Sequence, residues 1–354
     1  MRDALHELIN ALAQCEGALE VQAARTEDLS LLFARATGLR KAVLAWLNND
    51  DASVIRWAEV MGGSYFLHGT PFSIADIFSK QREGNARAWI FTSATLSAAG
   101  SFNHFTNQLG LTEAECKSWE SPFDYPQQAA LFVPSANFPL PSAPEHTDAV
   151  LDAALNLLTG CNGGAFLLFT SHRALKLAAT KLPEMLEARG MARKIFVQGE
   201  APKHDLLERF REASDGILLG SQSFWEGVDV QGEALSLVVI DKLPFAPPDD
   251  PVLSARLKHL EENGGNAFMQ WQLPQAAITL KQGAGRLIRS ESDRGVLAVM
   301  DTRLADKPYG KALLKSLPPM TRTRSVDRAR TFLLPLELAP DQPPALNVGA
   351  TIVS

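Results

Sequence analysis

From about residue 145 to residue 300 the chain alternates between two textures, and that alternation limits the folds open to it. Short apolar runs occur at Ala165–Phe169, Lys194–Val197, Gly216–Leu219, Leu237–Ile240 and Val296–Met300. Amphipathic stretches separate them, at Thr147–Leu158, Ala174–Ala188, Lys203–Glu212 and Pro274–Ile288. A run that is apolar at successive positions reads as a strand buried on both faces, which is the pattern of parallel sheet. Helical segments between such strands supply the crossovers. The pattern predicts an α/β fold with a parallel sheet and helices on both faces.

The flanks differ. Residues 1–48 read as all-helical, with Leu5, Leu8, Ile9 and Leu12, then Leu29, Leu32 and Phe33, recurring at helical steps. A turn cluster, Asn48–Asp51, ends this region, and short strand-like runs follow at Val54–Trp57, Tyr65–Leu67 and Trp89–Phe91. Residues 118–145 carry six prolines and read as a linker with one short strand, Ala130–Val133. Residues 333–354 have four prolines and weak periodicity, and are expected to be flexible.

The net charge of -6 over 354 residues argues against a globally basic nucleic-acid binder. The charge is uneven, however. Lys281–Arg330 holds 12 Lys/Arg against 5 Asp/Glu, a local +7. That excess is either a phosphate or nucleic-acid footprint or a solvated helical face. Three scattered cysteines, Cys15, Cys116 and Cys161, show no metal-ligand spacing and fit a reducing cytoplasm. No apolar run approaches the ~18 residues a membrane helix needs, so no membrane association is expected.

Ligands of an open parallel sheet bind beyond the carboxyl ends of its strands. The segments there are Thr92–Thr95, Thr170–Arg173, Gly220–Gly232 and the run DKLPF from Asp241. They are rich in hydroxyls and small residues at helix starts, which suit phosphate oxygens. For any one of them helix capping is the simpler role, Ser171 included.

The stretch QGAGRLIRS, Gln282–Ser290, is the densest feature of the chain. On a helix running from Pro274 to Ile288, Gln282, Arg286 and Arg289 project from one face. Gly283 and Gly285 are poor helix formers and suggest close approach by a backbone or a ligand. A dinucleotide loop is excluded, because G-x-G-x-x-G needs glycine at 288, where Ile288 stands. Paired arginines suit the neutralisation of a transferring phosphoryl group.

These segments together resemble the XPD/DinG-like iron–sulfur helicases of superfamily 2, in the bacterial YoaA-like branch. Q-x-x-G-R-x-x-R is similar to their motif VI, Ser93–Leu96 to motif III, AFLLFTSHRAL to motif IV and the segment from Gly220 through DKLPF to motif V. The resemblance implies a RecA-like second motor domain at 119–332, the end of the first motor domain at 49–118 and a helical arch remnant at 1–48. It implies Arg286 and Arg289 as arginine fingers on ATP, with Gln282, Glu226, Gly227 and Asp229 at the nucleotide. It also implies Ser93, Thr95, Thr170, Ser171, His172 and Trp225 on single-stranded DNA. The family is an ATP- and Mg²⁺-dependent 5′→3′ DNA helicase with a 4Fe–4S cluster. It acts in repair or damage tolerance, and this branch associates with the chi subunit of the replicative polymerase. G-x-x-x-x-G-K-S/T, D-E-A-H and the four cluster cysteines do not occur in residues 1–354. The chain is therefore expected to be the C-terminal part of such an enzyme and not to hydrolyse ATP alone. The alternative is a non-catalytic nucleic-acid or protein-binding module that keeps the motor fold.

Overall fold

The computed structural model describes residues 1–48, 53–83, 87–221, 224, 235–247 and 249–334. In chain order its elements begin with α1 (Arg2–Glu20), α2 (Glu27–Asn48), β1 (Val54–Met61), β2 (Ser64–Pro71), α3 (Ala75–Arg82), α4 (Asn103–Leu109), α5 (Tyr125–Gln128) and β3 (Ala129–Phe132). Next come α6 (His146–Leu158), β4 (Gly164–Phe169), α7 (His172–Ala188), β5 (Ile195–Val197), α8 (Lys203–Glu212), β6 (Ile217–Ser221) and β7 (Leu235–Ile240). The remainder is α9 (Pro251–Glu262), a π-helical turn (Phe268–Gln272), α10 (Leu273–Ala284), β8 (Gly295–Val299), α11 (Arg303–Asp306), α12 (Gly310–Ser316), β9 (Thr321–Thr323) and α13 (Val326–Leu333).

The chain divides into two compact units. The smaller comprises Met1–Ala86, Gln108–Gly110 and Pro247–Gly265. In it α1 and α2 pair as a hairpin, tied by Glu16, which accepts from Thr37 Oγ1 at 2.8 Å and from Arg40. β1 and β2 form an antiparallel hairpin turning at Gly62-Gly63, both at positive φ, as a tight primed turn requires. The strands are longer than their apolar segments suggested, because cross-strand pairs such as Trp57 stacked on His68 at 4.0 Å extend the ladder. α9 packs on this hairpin, with Arg256 donating to Pro71 O at 3.2 Å.

The larger unit comprises Arg87–Asn107, Leu111–Ala246 and Asn266–Ser354. Its sheet has seven strands in the order β5-β6-β4-β7-β8-β3-β9, and every described pairing is parallel. Side chains alternate between two cores. Phe166, Leu168, Leu218, Val238, Ile240, Leu297 and Val299 meet α8, α10 and α12 on one face. Ala165, Leu167, Ile217, Leu219, Val239 and Ala298 meet α6, α7 and α13 on the other. Full burial of each large apolar side chain contributes roughly 1.5–3 kcal/mol, so both faces must be covered for the sheet to persist. The α/β fold with helices on both faces is as expected.

Two expectations fail. Trp89–Phe91, read as a strand, is irregular: among the described residues no ladder pairs it, and Ile90 is 83% exposed. The short strand expected in the proline-rich stretch does form, as β3, but the linker reading is corrected because β3 sits inside the sheet between β8 and β9. Its prolines fall outside the strand, as the missing N–H demands. The flexible tail expected at 333–354 lies, from 335 onward, outside the described residues. Among the described residues no helix is long and apolar enough to cross a membrane.

Candidate functional site

At the carboxyl edge of the larger sheet, β4 ends at Phe169 and the chain passes through Thr170 and Ser171 into α7. Ser171 has extended backbone and caps the helix, its Oγ accepting from Ala174 N at 3.2 Å. His172, the first helical residue, is exposed. Thr170 is held from below by Asp241, at the end of β7. Thr170 N donates to Asp241 Oδ1 at 2.9 Å, Thr170 Oγ1 to Oδ2 at 3.4 Å, and Lys242 N to Oδ1 at 2.8 Å. Asp241 is buried, and that burial outweighs these donors and pushes its carboxyl up to about 6.

The backbone of this corner is fixed as firmly. His146, also buried, spans two carbonyls: Nε2 lies 2.9 Å from Asp241 O and Nδ1 2.9 Å from Pro139 O. At the end of β8, buried Asp301 accepts from Leu243 N at 2.9 Å and from the Arg303 guanidinium at 2.7 Å. Arg303 lies over the Phe245 ring, and the bond from Asp301 raises its pKa. Asp241, His146 and Asp301 were not singled out from the sequence. The only signal was Asp241 heading the segment that leaves a strand.

The opposite, amino edge holds the segment Gln282–Ser290, which precedes β8. α10 ends at Ala284, so Gln282 is in its last turn and Arg286 and Arg289 are beyond it. The shared helical face inferred for these three residues is therefore corrected. Gly285 is the C-cap, its N–H donating to Lys281 O, and Arg286 N and Leu287 N then close tighter turns onto Gly283 O and Ala284 O, each at 3.2 Å. No neighbouring backbone makes the close approach inferred at Gly285: of the protein atoms, a Cβ there would meet only the helix's own carbonyls, at 3.4 Å or more. Leu287 and Ile288 are buried between the two arginines and anchor the turn.

Asp293 fixes the backbone at the end of this turn. Its Oδ2 accepts from Arg289 N at 2.7 Å and Ser290 N at 2.9 Å, and its Oδ1 from Ser290 Oγ at 2.7 Å. Gln128 Nε2, just before β3, donates to the carbonyls of Ser290, Glu291 and Asp293 at 2.9–3.0 Å. Because Ala129 pairs with Gly295 at the strand starts, this brace lies at the sheet's amino edge. Thr170 lies about 20 Å away along a six-residue strand. The structure does not bring Thr170, Ser171 and His172 together with Arg286 and Arg289.

It does bring Ser93 towards the arginine stretch, since Ser93 and Lys281 border one cavity. Ser93 Oγ lies 3.2 Å from Thr95 Oγ1 and accepts from Thr95 N at 3.2 Å. The segment after them docks on the helices, with Ala99 N donating to Ser316 Oγ at 2.7 Å and the His104 ring against Trp271. Trp225, Glu226, Gly227 and Asp229 lie outside the described residues. Part of the basic excess is spent internally, Arg303 on Asp301 and Arg324 on Asp306. Among the described residues no group of His, Cys, Asp or Glu could hold a metal ion.

Residues 154–320 match the helicase C-terminal domain family. The chain is 41% identical to the ATP-dependent DNA helicase YoaA of Escherichia coli over 326 residues, covering 92% of this chain and 50% of that protein. It is 37% identical to the ATP-dependent helicase DinG of Mycobacterium tuberculosis over 307 residues, covering 85% and 44%. Among solved structures it is similar to an XPD helicase, at a TM-score of 0.53 and 15% identity, covering 86% of this chain and 55% of that one. The chain spans about half the length of the curated relatives it matches.

Proposed function

We propose that this chain, which corresponds to the C-terminal portion of an XPD/DinG-like helicase of the YoaA branch, is the second motor half of an ATP-dependent enzyme that moves 5′→3′ on single-stranded DNA in repair or damage tolerance. The observation that carries the reading is the pinned turn at Arg286–Ser290. A side chain that neutralises a transferring phosphoryl group must be held before the charge develops. Here buried Leu287 and Ile288, the Asp293 carboxylate and the Gln128 amide fix the backbone on either side of both arginines.

In this reading residues 119–332 are the second RecA-like domain, 49–118 the end of the first and 1–48 an arch remnant. Arg286 and Arg289 face the triphosphate, with Gln282, Glu226, Gly227 and Asp229 beside it. Thr170, Ser171, His172 and Trp225 hold the strand, and Ser93 and Thr95 link the two. ATP supplies the driving reaction when bound. The pinned arginines fit its phosphates, whereas the described residues offer no acidic cluster for Mg²⁺ and no cysteine group for a 4Fe–4S cluster. A cytoplasmic location and a chi-subunit partner belong to the same proposal.

Binding of a labelled oligonucleotide by residues 1–354 tests it. Phosphate contacts release counterions, so affinity should fall steeply between 50 and 200 mM salt, by about ten-fold or more for a few contacts. Salt-independent binding, or none at low salt, contradicts the reading. The same polypeptide should show no ATP hydrolysis above background, because no residue in it takes the phosphate-loop lysine role. Turnover stimulated by DNA and lost in Arg286→Ala would overturn that part.

A further inference from the structure

Beside the Ser93 segment lies a cavity of about 450 Å³, walled by Phe91, Thr92, Ser93, Lys117, Trp119 and Lys281 among others. That volume is within the ~300–1,000 Å³ range of small-ligand sites. The lining combines two chemistries. Lys281 is half-buried in the last turn of α10, and no carboxylate among the described residues pairs with it. Burial therefore lowers its pKa, the behaviour of an ammonium short of a counter-charge. Lys117 adds a second ammonium, shared at 2.8 Å with exposed Glu115. On the aromatic side, Phe91 is held between Trp89, at 6.3 Å and nearly parallel, and the edge-on ring of Phe105 at 5.6 Å. Trp119 is 81% exposed, an unusual setting for a tryptophan retained only for packing.

We propose that this cavity is a nucleoside-phosphate subsite, with the phosphate on Lys281 and the Ser93 and Thr92 hydroxyls and the base stacked on Trp119. A cation and an aromatic face bordering one hollow match the two ends of a nucleotide, and stacking on an exposed ring tolerates any base. The nucleotide is a unit of a bound strand or a free nucleotide; both present the same phosphate and the same π-face. The strand-bound form rests on the single-strand reading above, and the subsite itself does not.

The test uses residues 1–354 as wild type, Lys281→Gln, Trp119→Ala and Thr170→Ala, each first matched for thermal melting. Binding of a fluorescent oligothymidine and of a fluorescent ATP analogue is measured by anisotropy over a salt series. Trp119→Ala should weaken binding about 5- to 100-fold. Lys281→Gln should weaken it and lower the oligonucleotide salt slope by about 0.7. Cross-linking of a 5-iodouracil oligonucleotide should label Trp119. Loss confined to the oligonucleotide assigns the site to the strand, and loss confined to the analogue assigns it to a free nucleotide. If Thr170→Ala loses oligonucleotide while both pocket variants bind both probes as wild type, the subsite is wrong and the single-strand reading stands. If wild type binds only the analogue and Lys281→Gln loses it, the subsite stands and that reading falls. Binding of neither probe by wild type overturns both.

Discussion

Replacing Asp241 with Asn should stabilise this protein at neutral pH, and the amount can be worked from the geometry. Asn keeps Oδ1, which accepts the Thr170 and Lys242 N–H groups, and puts an NH₂ where Oδ2 faces Thr170 Oγ1. It therefore mimics the protonated acid. Burial raises the carboxyl from 3.8 to about 6 in the folded protein, so ionisation opposes folding. A carboxyl whose folded pKa is raised contributes fully below its unfolded value and loses that contribution as pH rises through the folded one. At ~1.4 kcal/mol per pH unit, the variant should exceed wild type by about 3 kcal/mol at pH 8 and about half that at pH 5, the two converging below about pH 4. The attraction of Lys242 for the carboxylate acts in wild type alone and is already contained in the value of about 6, while the His146 bond to the Asp241 carbonyl is common to both proteins. Urea unfolding at several pH values gives the comparison. The substitution should also turn the Thr170 hydroxyl hydrogen outward, since the new NH₂ donates to its oxygen. Oligonucleotide affinity at pH 8 should then rise. A variant less stable than wild type at pH 8, or a gap that ignores pH, would refute the reasoning.

In a complete enzyme carrying this half, Arg286→Ala or Arg289→Ala should leave melting and DNA binding nearly intact while ATP turnover falls about 10³-fold or more, the scale for an arginine finger; wild-type turnover in both would dismiss the role. Asp293→Ala removes the acceptor of two backbone N–H groups and one hydroxyl, and should cost roughly 1–3 kcal/mol in unfolding measurements. In the complete enzyme it should also lower turnover without touching the nucleotide. If stability falls and turnover per folded molecule does not, Asp293 serves the fold alone. Gln128→Leu, which strips the loop's other brace, should act in the same direction and less than additively, because both hold one loop.

The sequence by itself determined β3 to β8 and α6 to α8 of the larger unit to within a few residues, whereas β9 and α11 to α13 were not read from it. β4 to β8 are apolar because both faces of a parallel sheet are covered, and α8 runs over the very residues its periodicity marks, Lys203–Glu212. The glycines of QGAGRLIRS also carried the helix end: Gly285 is a C-cap, a local signal that competed with the arginine spacing and prevailed. Only the tertiary structure decided the rest. Trp89–Phe91 has strand composition, but a strand exists only where another chain segment pairs with it. The strand order, with β3 inserted between β8 and β9, depends on how the crossovers pack and leaves no trace in local pattern. The site's positioning groups are equally nonlocal. Thr170 finds Asp241 71 residues on, and Gln128 finds Ser290 162 residues on. A buried carboxylate or amide declares its role only when folding removes water and leaves a particular N–H or C=O as its partner.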